Sequence, residues 1–168
     1  MRNHAVKSKS ESAAMLTICF LLPLLTGGVI LYFSGAFRKN IALTYSPLNI
    51  SAVAAATGWV AAFISSGLTL YLLLSTNAHT HIRHLIRRKA VGLWLALFTM
   101  TLILPFFVYQ AKVYLFSFIW LSIICALSAA LLVFALRLRF ISAVIFIPYA
   151  AFSVIMTYVV FFAAINYM

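Results

Sequence analysis

Acidic residues are almost absent from this chain of 168 residues: Glu11 is the only one, set against twelve Lys and Arg. Charged residues of either sign make up 8% of the sequence, where a water-soluble domain carries about a quarter. A soluble globular domain is excluded on that ground, and so is any chemistry that relies on paired carboxylates. Cysteine is scarce. Cys19 and Cys125 both stand inside apolar runs, where they act as small hydrophobes and form neither a metal-binding nor a redox motif. Tryptophan is limited to Trp59, Trp94 and Trp120. Apolar runs that alternate with polar residues at every second position are missing too, which excludes a membrane β-barrel.

Hydrophobic residues fill the space left by these absences, at 66% of the chain. A helix needs about 20 apolar residues to cross a hydrocarbon core roughly 30 Å thick. Five stretches meet that length, and the expectation is an all-α polytopic membrane protein, a bundle of five transmembrane helices. Their expected bounds are about 13–33, 50–74, 90–109, 113–136 and 140–165. Residues 1–12 read as a disordered basic tail, and residues 13–168 as the transmembrane domain. A basic start followed by an apolar run also describes a signal peptide, with Ser34-Gly35-Ala36 as a cleavage site. The run exceeds the 7–15 residues, approximately, of a signal core, which favours a retained helix. Pro23 and Gly27-Gly28 suggest a kink in it.

The net charge of +11 invites a nucleic-acid reading. The cations, however, lie between the apolar spans, where they orient a protein in a bilayer, and no nucleic-acid partner is expected. Arg2, Lys7, Lys9, Arg83, Arg87, Arg88, Lys89, Arg137 and Arg139 fall on the N-terminal side. Arg38, Lys39 and Lys112 fall on the other. The positive-inside rule then places the N-terminus in the cytoplasm, in what we read as a bacterial plasma (inner) membrane. His79, His81 and His84 sit in the second connection among four cations. Their spacing fits neither a helical i, i+4 pair nor a zinc-finger pattern, no Cys or carboxylate accompanies them, and metal binding is not expected. Contact of that basic connection with anionic lipid heads fits better.

The expected spans hold no Asp, Glu, Lys, Arg or His. Intramembrane ionisable groups mark proton relays and ion paths, and Ser or Thr nucleophiles need an adjacent base. The sequence therefore reads as a non-enzyme without catalytic residues, cofactor or metal, and a proton-driven transporter is disfavoured.

The richest stretch is the second span. Ala54, Gly58, Ala62 and Ser66 recur every fourth residue and make a face on which another helix can approach closely. Ala55, Trp59, Phe63, Gly67 and Tyr71 recur beside it. The residues alone leave open whether Trp59, Phe63 and Tyr71 pack the bundle, anchor it at the interface or touch a ligand. Gly92 and Ala96 form a further small-residue pair in the third span. Pro105 ends or kinks that span, and Tyr114, Phe116, Phe118 and Trp120 suggest an interfacial belt at the start of the fourth.

The spacing Trp59, Phe63, Gly67, Tyr71, after a turn at Ser46-Pro47, resembles the second helix of the TspO/MBR family (translocator protein / tryptophan-rich sensory protein). Ile147-Pro148-Tyr149-Ala150-Ala151-Phe152 resembles the family's fifth-helix Leu-Pro-Tyr-Leu-Ala-Trp, and Leu104-Pro105-Phe106-Phe107 its third-helix Pro-x-Phe-Phe. In order and spacing the likeness runs over nearly the whole chain. It implies a homodimeric membrane receptor or sensor for porphyrins such as protoporphyrin IX or haem, or for other hydrophobic ligands, which it would help to transport or sequester. Carried over residue by residue, the ligand-binding positions are Trp59, Phe63, Gly67, Tyr71, Pro148, Tyr149 and Phe152. It also implies that the first connection, Gly35 to Asn49, partly covers the ligand. The chain departs from the family pattern at Phe98 to Leu104, where an Asn and a Trp are missing, and at Val159-Val160, where a Leu-Asn pair is missing. The residues by themselves support one alternative, a small structural or assembly subunit of a larger membrane complex with no ligand of its own.

Overall fold

The computed structural model describes residues 2–36, 47–48, 50–76 and 80–167, with the backbone alone for 2–11 and 167. Most of the first connection, with Arg38, Lys39 and Tyr45, lies outside the described residues, as does His79. Among the described residues there are five α-helices: α1 (Arg2–Ser34), α2 (Ala52–Ser75), α3 (His81–Pro105), α4 (Tyr114–Leu138) and α5 (Phe140–Tyr167). Each contains a segment long and apolar enough to cross a membrane, and the chain is a multi-pass integral membrane protein of all-α class.

Around the bundle the helices follow the order α1, α2, α5, α4, α3, and α3 closes the ring against α1 and α2. The most extensive interface is that of α4 with α5. Side chains outside the core, such as Ile18, Leu25, Ile119 and Val154, are exposed and apolar, as a lipid-facing surface requires.

The helix ends differ from the sequence expectation in instructive ways. α1 begins at Arg2 instead of near Ala13, because no proline or glycine interrupts residues 2–13. α3 begins at His81, well before Ala90. Thr80 caps it, its hydroxyl accepting from the Arg83 N–H at 3.4 Å, and Arg87 Nη1 donates to the Thr76 carbonyl at 3.1 Å. The cations of this stretch therefore ride on a helix that extends out of the apolar span. At its other end α3 does not stop at Pro105 but widens into a π-helical segment, Phe106–Ala111. Lys112, at φ 55° in the left-handed region, then turns the chain into α4.

Close approach of helices depends on α2. A Cβ on Gly67 would meet the carbonyl oxygen of Cys19, so the Gly67 Cα–H points at that oxygen. Pro23 has no N–H to give the same carbonyl, which lies four residues before it. Gly67 thus covers an acceptor that α1 leaves free, in a weak C–H···O contact. On α2 again, Gly58 lies flat against the Phe152 ring of α5, and on α1 Gly27 lies flat against Phe63. Gly92, by contrast, faces open space.

Gly67→Ala must separate α1 from α2, since backbone opposes the new methyl. It should lower stability by about 1–3 kcal/mol, read as an earlier midpoint in SDS titration of mixed micelles. Gly92→Ala, with nothing to displace, should leave the midpoint unchanged or raise it by up to about 1 kcal/mol through helix propensity.

Candidate functional site

Trp59 stands at the centre of an aromatic cluster drawn from three helices. Its ring stacks on Phe63 at 5.8 Å and 25°, one helical turn further along α2. It meets Phe152 of α5 edge to face at 5.0 Å and 73°. Phe63 passes the cluster on to Phe98 of α3, at 6.5 Å, and Phe98 stacks on Trp94 at 5.0 Å and 12°. The edge-to-face and offset contacts match the quadrupole preference of aromatic rings.

The polar tips of these residues are paired across helices. Trp59 Nε1 donates to the Tyr109 hydroxyl at 3.2 Å, and Trp94 Nε1 donates to the Ser66 carbonyl at 3.0 Å. The Tyr149 hydroxyl makes a short hydrogen bond with Thr101 Oγ1, and its ring stacks on Phe146. An unpaired indole or phenol here would cost free energy that no water is at hand to recover.

Trp59, Tyr149 and Phe152 line one interior space, together with Ala62, Thr101, Leu104, Leu121, Ile124, Ser153 and Met156. That space amounts to about 10 Å³, roughly the room for one water. The other sequence-derived positions lie around it in different ways. Phe63 is buried behind Trp59. Gly67 is a turn further on, against α1. Tyr71 is half-buried another turn along, and Pro148 is exposed on the outer face of α5. The small-residue face of α2 splits: Ala62 and Ser66 are buried, Gly58 receives a ring, and Ala54 is exposed.

Sequence reasoning missed Tyr109 and Thr101, the hydrogen-bond partners of Trp59 and Tyr149. Thr101 carries a faint signal, a hydroxyl four residues before Pro105, where the proline frees a carbonyl. Tyr109 carries none, because its inward direction depends on the π-helical phase after Pro105.

Chemically, the centre offers aromatic faces, hydroxyls already engaged with one another and no ionisable acid or base. With about 10 Å³ between them, these side chains leave no room for a further ring unless they move apart. Among the described residues no group of three His, Cys, Asp or Glu could hold a metal ion. Phe152→Ala removes the ring wedged between Gly58 and Trp59. It should cost about 3–5 kcal/mol in the same SDS titration, because the void has rigid walls on both sides. No family model, no curated protein and no solved structure matches the chain in comparisons with known proteins.

Proposed function

We propose that the chain is a TspO/MBR-like membrane receptor without enzymatic turnover. It binds a porphyrin-like molecule such as protoporphyrin IX or haem, or another flat hydrophobic ligand, inside the bundle, and so senses, sequesters or helps to move it. One observation carries this reading. Trp59, from the second-span motif, and Tyr149 and Phe152, from the Pro-Tyr motif of the fifth, line the same interior space. They are brought together from stretches some ninety residues apart in sequence.

Ligand pockets measure about 300–1,000 Å³, far more than the interior space holds. On this reading the ligand displaces Phe152 from its seat on Gly58 and parts α2 from α5. Its apparent affinity is then the intrinsic affinity reduced by the fraction of molecules that are open. The protein sits in a bacterial plasma membrane with its N-terminus in the cytoplasm.

A second reading, that of a small assembly subunit, is favoured by one observation. Gly92 and Ala96 are exposed on α3 with open space in front of Gly92. A partner helix fits such a face, and homodimerisation of the receptor would use it as well.

Protoporphyrin IX titrated into purified protein should quench Trp fluorescence saturably, and Trp59→Phe, which shrinks the stacking face and strips the Tyr109 hydroxyl of its indole partner, should weaken binding by about three- to tenfold. Absence of saturable quenching would favour the assembly reading. For orientation, alkaline phosphatase fused after Met168 should be active and green fluorescent protein in the same place dark; the reverse pattern would overturn the cytoplasmic N-terminus.

A further inference from the structure

The hydroxyls of Thr101, Tyr109, Tyr149 and Ser153 stand at the aromatic centre. Each has one hydrogen to donate and an oxygen that can accept. In Thr101, Tyr149 and Ser153 the hydrogen is used within the protein. Thr101 Oγ1 donates to the Leu97 carbonyl at 2.7 Å. Its one hydrogen is thereby engaged, so in the short bond between Thr101 and Tyr149 the phenol is the donor and Thr101 the acceptor. Ser153 Oγ donates to the Ala150 carbonyl at 2.7 Å and accepts from Cys125 Sγ at 3.5 Å.

Tyr109 differs. Its oxygen accepts from Trp59 Nε1 at 3.2 Å, but its hydrogen has no acceptor among the described residues. A partly buried hydroxyl left without an acceptor costs free energy, which a ligand that supplies one recovers.

The position of this hydrogen bears on what a ligand must look like. Tyr109 meets the indole at its N–H edge, whereas Phe152 meets the same indole with ring centroids 5.0 Å apart. A porphyrin that stacks on Trp59 in place of Phe152 is wider than an indole, so its margin overhangs the indole's edges. On the side of Nε1 that margin comes to the Tyr109 hydroxyl. Tyr109 lies near the end of the bundle at which Lys112 turns the chain into α4, so a polar group on this margin stays close to the membrane boundary.

We propose that the Tyr109 hydroxyl selects, among flat hydrophobic rings, those that carry a carbonyl or carboxylate acceptor on one margin. The assignment rests on the receptor reading and adds to it the polarity of the ligand: the ring lies on Trp59 and its acceptor at Tyr109. Thr101, Tyr149 and Ser153 have no hydrogen left for such a group, so the rest of the ring meets apolar or accepting surface. A few placed polar groups in an apolar site are what orient a small molecule there.

The test uses the full chain in detergent micelles and two uncharged porphyrins of similar size. Mesoporphyrin IX dimethyl ester carries ester carbonyls on one margin, and etioporphyrin has plain ethyl groups in their place. After correction for partition into empty micelles, wild-type protein should bind the diester more tightly than etioporphyrin by about three- to tenfold, the worth of one hydrogen bond. Tyr109→Phe should abolish that preference. Both rings need the same opening of the bundle, so the ratio of their affinities is unaffected by any change that Tyr109→Phe makes to Trp59 or to opening. Tyr158→Phe, which removes a phenol from the outer surface, should keep the preference. In the wild-type complex the infrared band of the ester carbonyl should fall below its position in hydrocarbon solvent, as a donated hydrogen bond requires, and this band decides the matter should Tyr109→Phe lose both rings. Equal binding of the two rings by wild-type protein would overturn the assignment of Tyr109 and leave the receptor reading standing. So would a preference that survives in Tyr109→Phe or disappears in Tyr158→Phe, and so would an unshifted carbonyl band. Failure of both rings to bind wild-type protein saturably would overturn the receptor reading itself, and the assignment with it.

Discussion

Carbonyl groups that have lost their helical donor must find another one, because no water reaches them within the hydrocarbon core. Three prolines lie inside the spans, Pro23, Pro105 and Pro148, and they free the carbonyls four residues before them, those of Cys19, Thr101 and Val144. Gly67 of α2 lies against the Cys19 carbonyl freed by Pro23. Trp120 of α4 donates from its indole to the Met100 carbonyl, in the turn before Pro105, at 3.0 Å. Ser65 of α2 donates to the Ile145 carbonyl, in the turn before Pro148, at 2.6 Å. At Pro23 the freed carbonyl itself is covered, whereas near Pro105 and Pro148 the bonds reach carbonyls one residue away from the freed ones; all three join neighbouring helices. Apolar side chains cannot do this in lipid, where contact with a neighbour is no drier than contact with an acyl chain.

Two of these ties belong to α2, and the glycines of the same helix admit α1 and the Phe152 ring. That position explains why the aromatic centre forms where it does. Trp59 is held from three directions, by Phe63 on its own helix, by Phe152 on α5 and by Tyr109 after α3. A centre braced in this way is rigid and nearly closed. Any ligand received there must work against close-packed rings, so uptake and helix separation are one event on the proposed reading.

The number of spans and their approximate limits were legible because apolar run length alone determines them. Trp59, Tyr149 and Phe152 stood out through the motif resemblance alone, since the residues by themselves left interface anchoring open for Trp59; the structure places the three on one interior space. The start of α3 was not legible. His81 to Lys89 reads as a loop when cations are taken to end a helix, whereas only the membrane span ends there and the hydrogen-bonded helix continues. The exposure of Pro148 was hidden as well, because a motif gives spacing along the chain without its rotation about the helix axis. The roles of Gly58 and Gly67 were half visible. A small-residue face announces close approach, but whether a ring or a carbonyl arrives is decided by the neighbouring helix.

The π-helical segment after Pro105 accommodates one more residue per turn than the α-helix before it. Within it each residue turns by less than the roughly 100° of an α-helix, so side chains fall progressively behind the α-helical phase, and Tyr109, inside this segment, meets Trp59. A homologous chain that lacks this extra residue would agree in register up to Pro105 and fall out of step after it. Alignments of this segment therefore need a one-residue gap between Phe106 and Ala111, and without one the indole's acceptor would be matched to a lipid-facing position.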